Sequence, residues 1–209
     1  LHKKLRMKRV NKTILCGDEK LFPKNKWLSV RKLIGEQNVL THPIFHDAFR
    51  LILKKHKRKH KSAFLSLCTS TRPYSISRKW KRYLLEFEAK TDLIVVSNGG
   101  FVPTKFWCSY PFLNYDAGPH ENNVLYKRVM YERMMKFFKK HKYDYVVANF
   151  SHKQRNQEPA VQSLTKLKDG GYYKDYILIP DKKTYEKAKL QGWKEEGMMY
   201  PDLHPVIFR

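Results

Sequence analysis

The chain has 209 residues, 42% of them hydrophobic and 14% aromatic, so it can fill a core and is not globally disordered. It carries 43 Lys and Arg against 19 Asp and Glu, a formal net charge of +24, which calls for an anionic partner: nucleic acid first, an anionic membrane surface second. No apolar run approaches the ~20 residues of a spanning helix, and no apolar region follows the basic N-terminus as in a signal peptide, so a cytoplasmic protein with no membrane association is expected.

Residues 1–41 read as a basic N-terminal extension, in which Lys3, Lys4, Arg6, Lys8 and Arg9 form either a solvated tail or an RNA contact. From His42 the pattern becomes regular. Ile44, Phe45, Ala48, Phe49, Ile52 and Leu53 recur at helical spacing, which predicts an amphipathic helix over 44–60. Its tail carries Lys54, Lys55, Lys57, Arg58, Lys59 and Lys61, more positive charge than a helix dipole needs, so phosphate contact is expected. Residues 63–68 form a short apolar run that suits a buried strand, followed by a loop around Arg72-Pro73-Tyr74. A helix over 77–90 comes next, with Trp80, Leu84, Leu85 and Phe87 as its apolar positions, and then a second buried strand over 92–97.

The stretch from Asn98-Gly99-Gly100 to His120 reads as long and irregular. A strong helix spans 122–142 and a third strand 145–150. A helix at 160–168, a fourth strand at 176–179 and a helix at 182–191 follow, and 198–209 reads as a C-terminal coil. Strands alternating with helices predict, over 42–197, a three-layer α/β domain with a roughly four-stranded parallel sheet and helices on both faces. Further phosphate contacts are expected from Arg78, Lys79, Lys81 and Arg82 around Trp80, and from Lys139, Lys140 and Lys142 near Phe137 and Phe138. Cys16, Cys68 and Cys108 contain no CxxC pair, so neither a disulfide framework nor a metal is expected, and no cofactor motif stands out.

Ligands of parallel sheets bind outside the carboxyl ends of the strands, and three loops should converge there: 68–77, 97–116 and 149–152. Cys68, at a strand end, is either a buried structural thiol or a nucleophile activated by a nearby cation such as Arg72. Arg72 suits a phosphate or carboxylate, and Tyr74 a base or a packed loop anchor. Ser77 is placed to cap the helix behind it. Asn98 and Gly100 leave a strand where glycine lets a ligand approach the backbone. Asp116 is the acid/base or amine-binding candidate, with an Asx-turn or ion pair as the plain alternative. His152 suits a proton shuttle or an RNA contact.

The first loop resembles the signature of the archaeosine synthase core domain, a family related to tRNA-guanine transglycosylase. That signature reads Pro-Cys, three residues, Lys-Pro-Tyr, two residues, Ser, two residues, His. Cys68, Pro73, Tyr74 and Ser77 fall in register, while Arg72 replaces the lysine, Leu67 the proline and Trp80 the histidine. The second loop is similar to the family's Ser-Pro-Leu-Gly-Val-Val-Pro segment followed by Tyr-Pro and Tyr-Asp. Ser97, Gly100, Val102, Pro103, Tyr110, Pro111, Tyr115 and Asp116 match; Asn98 and Gly99 depart, and Lys105 stands where glutamate is expected. The resemblance covers roughly 42–180.

It implies an enzyme that joins the amine of free lysine to the nitrile of a 7-deazaguanine base in tRNA. Cys68, Tyr74 and Asp116 would be catalytic, and Arg72, Ser77, Ser97, Asn98, Gly100, Tyr115 and His152 would bind substrate. RNA affinity would come from the chain's own lysines or from a partner protein. Two alternatives stand beside this reading: a non-catalytic RNA-binding or ribonucleoprotein subunit that kept the fold, and a base-reading or base-excising enzyme on DNA.

Overall fold

The computed structural model describes residues 21–22, 33–34, 40–113, 115–116, 124–150, 158–179 and 181–190. The basic arm, His152 and the C-terminal coil lie outside them. After the two-residue strand β1 (Leu33–Ile34), helix α1 (Pro43–Lys55) starts where His42 Nδ1 accepts the Ile44 amide at 3.2 Å and Pro43 occupies the first turn. Phe45, Ala48, Phe49 and Ile52 form its buried stripe. The helix ends five residues earlier than its charge run suggested. His56 turns extended because its side chain is drawn into the core, stacking on Phe137 at 5.7 Å and meeting Tyr143 OH at 2.8 Å.

Strand β2 (Ser62–Leu67) leads to helix α2 (Arg78–Phe87), which the Ser77 hydroxyl caps by accepting the Trp80 amide at 3.3 Å. Strand β3 (Asp92–Ser97) is buried throughout. The chain then reverses at once: β4 (Gly100–Pro103) pairs antiparallel with β3, so the stretch expected to be irregular opens with a tight hairpin. Gly100 makes this possible with φ +139°, a conformation side chains rarely adopt. The turn also lies against α1. A Cβ on Gly99 would sit 2.5 Å from Phe45 Cδ1, and one on Gly100 3.2 Å from Phe49 Cδ2.

The order continues with β5 (Tyr115–Asp116), paired with β1 in a small second sheet, then α3 (Val124–His141), β6 (Tyr145–Asn149), α4 (Glu158–Asp169), β7 (Asp175–Ile179) and α5 (Lys182–Leu190). The main sheet runs β4-β3-β2-β6-β7, with β3, β2, β6 and β7 mutually parallel. The expected parallel strands are all present, and the fifth is an antiparallel edge. Helices α1, α3 and α4 pack with one another in sequence, and Phe137 of α3 stacks on Phe101 of β4 at 5.5 Å. On α2, Trp80 meets Trp107 at 4.9 Å, while Tyr83 and Phe87 meet Phe64 of β2 at 4.8 and 4.9 Å.

Arg133 of α3 is buried, and burial holds its guanidinium down to about 10. It donates to the carbonyls of Asn98 and Leu40, tying the hairpin turn to the chain ahead of α1. β2 lies between β3 and β6, so the segments leaving β2 and β6 diverge. That is the topological switch point of an open sheet, where a crevice forms beyond the strand ends.

Candidate functional site

At this switch point a polar cluster bridges β2, β6 and the first turns of α2. Lys79 Nζ donates to the Leu67 carbonyl at 2.7 Å and to Ser66 Oγ at 3.3 Å. Ser66 Oγ donates to the Asn149 oxygens at 3.3 Å, and Tyr83 OH donates to Asn149 Oδ1 at 3.2 Å. Although the stem of Lys79 keeps some exposure, burial of the amine pushes its pKa down to about 8, against the opposing pull of a Cys68 thiolate. An amine with that value is partly neutral near physiological pH and can accept a proton.

Cys68 follows directly on β2. Its amide donates to the Val96 carbonyl at 2.9 Å, which extends the β2–β3 ladder by one residue and fixes the thiol at the rim, half-buried and free of any disulfide. Arg72 lies within its electrostatic reach. Burial works against the Arg72 cation, but Tyr74, Tyr115 and Cys68 together outweigh it and raise its pKa. The guanidinium sits 4.6 Å from the ring centroids of both Tyr74 and Tyr115. Those tyrosines share a hydrogen bond of 2.8 Å between their hydroxyls, Ser97 beside them gives its proton to the Gly100 carbonyl at 3.0 Å, and burial raises the pKa of each tyrosine. Arg72 Nε is buried without a partner.

The fold therefore brings Cys68, Arg72, Tyr74, Ser97 and Tyr115 together, as expected, but not in all the expected roles. Tyr74 and Tyr115 are sealed in the core, at 0% and 2% exposure, and neither ring is free to stack on a base. Ser77 spends its hydroxyl on the helix cap. Asn98 and Gly100 belong to the hairpin turn against α1, where Phe45 fills the space at Gly99, Phe49 that at Gly100, and Arg133 takes the Asn98 carbonyl. Asp116 stands in register with Ile34 in the small sheet, next to Tyr115. Lys79 is no surface phosphate contact but part of the buried cluster. Trp80, where the resemblance expects histidine, is fully buried, with Nε1 unpartnered.

The basic residues divide between the two ends of the sheet. Arg78 and Lys81 are exposed at the start of α2, beside the Cys68 rim, while Arg82 pairs with Glu86 at 2.7 Å. Lys57, Arg58, Lys59, Lys61, Lys139, Lys140 and Lys142 are exposed at the amino-end rim, where Arg58 donates to the Lys142 carbonyl and the Asp144 amide to the Lys61 carbonyl at 2.8 Å. Lys54 and Lys55 end α1 there, and Lys105 Nζ donates to the Lys55 carbonyl at 2.6 Å. The departure at Lys105 thus lies at the opposite end from Cys68. Sequence reasoning missed Ser66, Tyr83 and Asn149; the available signal was a serine inside the apolar run 63–68 and an asparagine ending the strand at 149. Among the described residues no group of three or more His, Cys, Asp or Glu is placed to hold a metal, and no helix is long and apolar enough to cross a membrane.

Fold and site define an open, mostly parallel α/β domain with a cysteine–arginine–lysine rim at its switch point. Residues 45–173, more than half of the chain, match the family model described as a domain of unknown function, DUF5591, and the chain belongs to that family. It is also similar to the crystal structure of AF0587, a protein of unknown function, at 16% identity and a TM-score of 0.48 over 73% of this chain and 51% of that one. The chain thus spans about half the length of that protein. No curated protein matches it.

Proposed function

We propose that this chain is an RNA-binding relative of archaeosine synthase whose rim at Cys68 adds an amine to the nitrile of a 7-deazaguanine base, with tRNA as the substrate class. The observation that supports the reading is that Cys68, at the end of β2 by the switch point, lies within electrostatic reach of both Arg72 and Lys79, in a loop that keeps the family's Cys, Pro, Tyr and Ser spacing. The Cys68 sulfur adds to the nitrile carbon, and the nitrile nitrogen takes up the proton to give a thioimidate. The incoming primary amine then attacks the same carbon and loses a proton to Lys79. Expulsion of the Cys68 thiolate leaves an amidine, and the thiolate regains its proton, so nitrile plus amine balances product. Arg72 orients a carboxylate or phosphate of either substrate.

Incubation with nitrile-bearing tRNA and labelled lysine tests this. Label appears on RNA with the native protein and falls at least a hundredfold with Cys68→Ala; no transfer, with or without added protein partners, removes the enzymatic reading. A second reading, a non-catalytic RNA-binding subunit, is favoured by the sealing of Tyr74 and Tyr115 beneath the rim. It keeps RNA affinity without label transfer.

A further inference from the structure

Parallel sheets are ordinarily covered by helices on both faces, and here part of that cover is missing. The register places Tyr145, Val147 and Asn149 of β6 beside Asp175, Ile177 and Ile179 of β7, on the face that carries α2: their β2 neighbour Phe64 packs on Tyr83 and Phe87. The opposite face is closed, for Val146 and Ala148 are buried and Tyr176 OH meets Thr165 of α4 at 2.9 Å. On the α2 side the cover gives out toward the amino ends of the strands. Tyr145 is 50% exposed and Ile177 60%, with Val147 half-buried beside them. The result is an open shelf floored by one aromatic and two aliphatic side chains.

The border of the shelf is cationic. Lys61 precedes Ser62, the β2 neighbour of Tyr145, and its carbonyl accepts the Tyr145 amide at 3.4 Å. Ser62 Oγ donates to the Lys90 carbonyl at 3.4 Å, which brings Lys90 to the same corner. Lys174 Nζ lies 5.9 Å from the Tyr145 ring centroid. All three lysines are exposed. The carboxylates at the strand starts are engaged, Asp144 with Lys174 at 4.0 Å and Asp175 with Lys168 at 2.7 Å, whereas Lys61 and Lys90 form no ion pair among the described residues. A second copy would set these lysines against their own kind. A nucleic acid strand supplies phosphates for the border and planar bases for the floor. Along β6 the shelf runs from Tyr145 past Val147 to Asn149 of the Lys79 cluster, about 13 Å at ~3.3 Å per residue.

We propose that this shelf holds a single-stranded segment of RNA, with one base stacked on Tyr145, a neighbouring base on Val147 and Ile177, and the connecting phosphates beside Lys61 and Lys90. The inference rests on RNA being the partner. It adds how the strand reaches the site: unpaired, and within about four nucleotides of a base held at the Lys79 cluster, taking ~3.4 Å per stacked nucleotide. A ring reads the π-face that every base shares, so the shelf selects unpaired strand over helix rather than one sequence.

The test uses fluorescence anisotropy of the full chain with a short single-stranded RNA and with a duplex of the same sequence, over a salt series. Tyr145→Thr keeps the strand propensity and removes the ring. It weakens single-strand binding about tenfold, leaves duplex binding as it was, and leaves the salt slope unaltered, because a lost stack frees no counterions. Tyr145→Trp restores the native affinity, and adding Ile177→Thr to Tyr145→Thr deepens the loss. Melting temperatures and sedimentation of each variant are measured alongside. Single-strand affinity unmoved by Tyr145→Thr, an equal loss on single strand and duplex, or no single-strand binding by the native chain overturns the proposal. So does a native dimer that Tyr145→Thr/Ile177→Thr splits, which would give the face to a second copy. Lysine transfer to nitrile-bearing tRNA is scored separately: transfer with unaltered Tyr145→Thr binding removes the shelf alone, and altered binding without transfer by the native chain removes the enzymatic reading alone.

Discussion

Replacing Lys79 by methionine keeps the stem and removes the amine that sits on the Leu67 carbonyl. In the native chain that amine gives up its proton at about 8, whereas the unfolded chain holds it to the ordinary 10.5. Between those values the unfolded state binds more protons than the folded one, so stability rises with pH across the window. At about 1.4 kcal/mol per pH unit, the stability of the native chain relative to Lys79→Met climbs by about 3 kcal/mol from pH 8 to pH 10.5. It is flat below pH 8, where the penalty is complete. Exposed lysines titrate alike in both chains and cancel in the difference. Urea unfolding of both proteins from pH 7 to pH 10.5 reads the effect directly. In a Cys68→Ser background the rise begins at lower pH, because a thiolate at Cys68 holds the Lys79 proton. A difference that stays constant across the whole range would mean that the amine is solvated, and the buried cluster would have to be abandoned.

Gly99→Ala forces a methyl to within 2.5 Å of Phe45 and costs about 1–3 kcal/mol by overpacking. Thermal melting detects the loss, and Phe45→Leu in the same chain recovers part of it. Arg133→Met orphans the Asn98 and Leu40 carbonyls at about 1–3 kcal/mol each. Arg133→Lys recovers little of that in chemical denaturation, because one ammonium does not reach both acceptors as the guanidinium fork does. Burial, with Lys140 and Lys105, holds His141 down to about 4. From pH 6.5 to 4 the unfolded chain takes up that proton and the folded one does not, so stability falls with acid by up to about 3 kcal/mol. His141→Phe removes that part of the acid dependence in unfolding titrations between pH 4 and 7.

The four parallel strands were legible because each is a short apolar run between helical segments; β2 and β3, buried almost throughout, show no alternation to misread, and β7, exposed in alternation, still keeps the run Tyr176-Ile177-Leu178-Ile179. The β3–β4 hairpin was not, because Asn98-Gly99-Gly100 carries the same turn signal whether the chain continues as loop or returns as a strand. Its glycines answer to Phe45 and Phe49, which are some fifty residues away in sequence. Lys79 was hidden among Arg78, Lys81 and Arg82, which look alike as a charge run. Only its position four residues before Tyr83 puts it on the face that meets Ser66 and Asn149. The basic run at 54–61 was legible as charge but not in place, because a count of charges does not say which rim of the sheet they occupy. In alternating α/β order, helix C-termini and strand N-termini share one end of the sheet, so these lysines belong opposite the loops that follow the strands. His56 left the helical pattern for a buried hydrogen bond to Tyr143, 87 positions away, which no local periodicity encodes.

The placing of a reactive thiol at the switch point is tested most directly by withholding the amine. The full chain, mixed with nitrile-bearing tRNA and then digested, should yield a peptide containing Cys68 heavier by the mass of the modified nucleoside. The adduct should be absent from Cys68→Ser and should disappear when lysine is supplied. A native peptide of unaltered mass, together with lysine transfer that persists in Cys68→Ser, contradicts the role assigned to this sulfur.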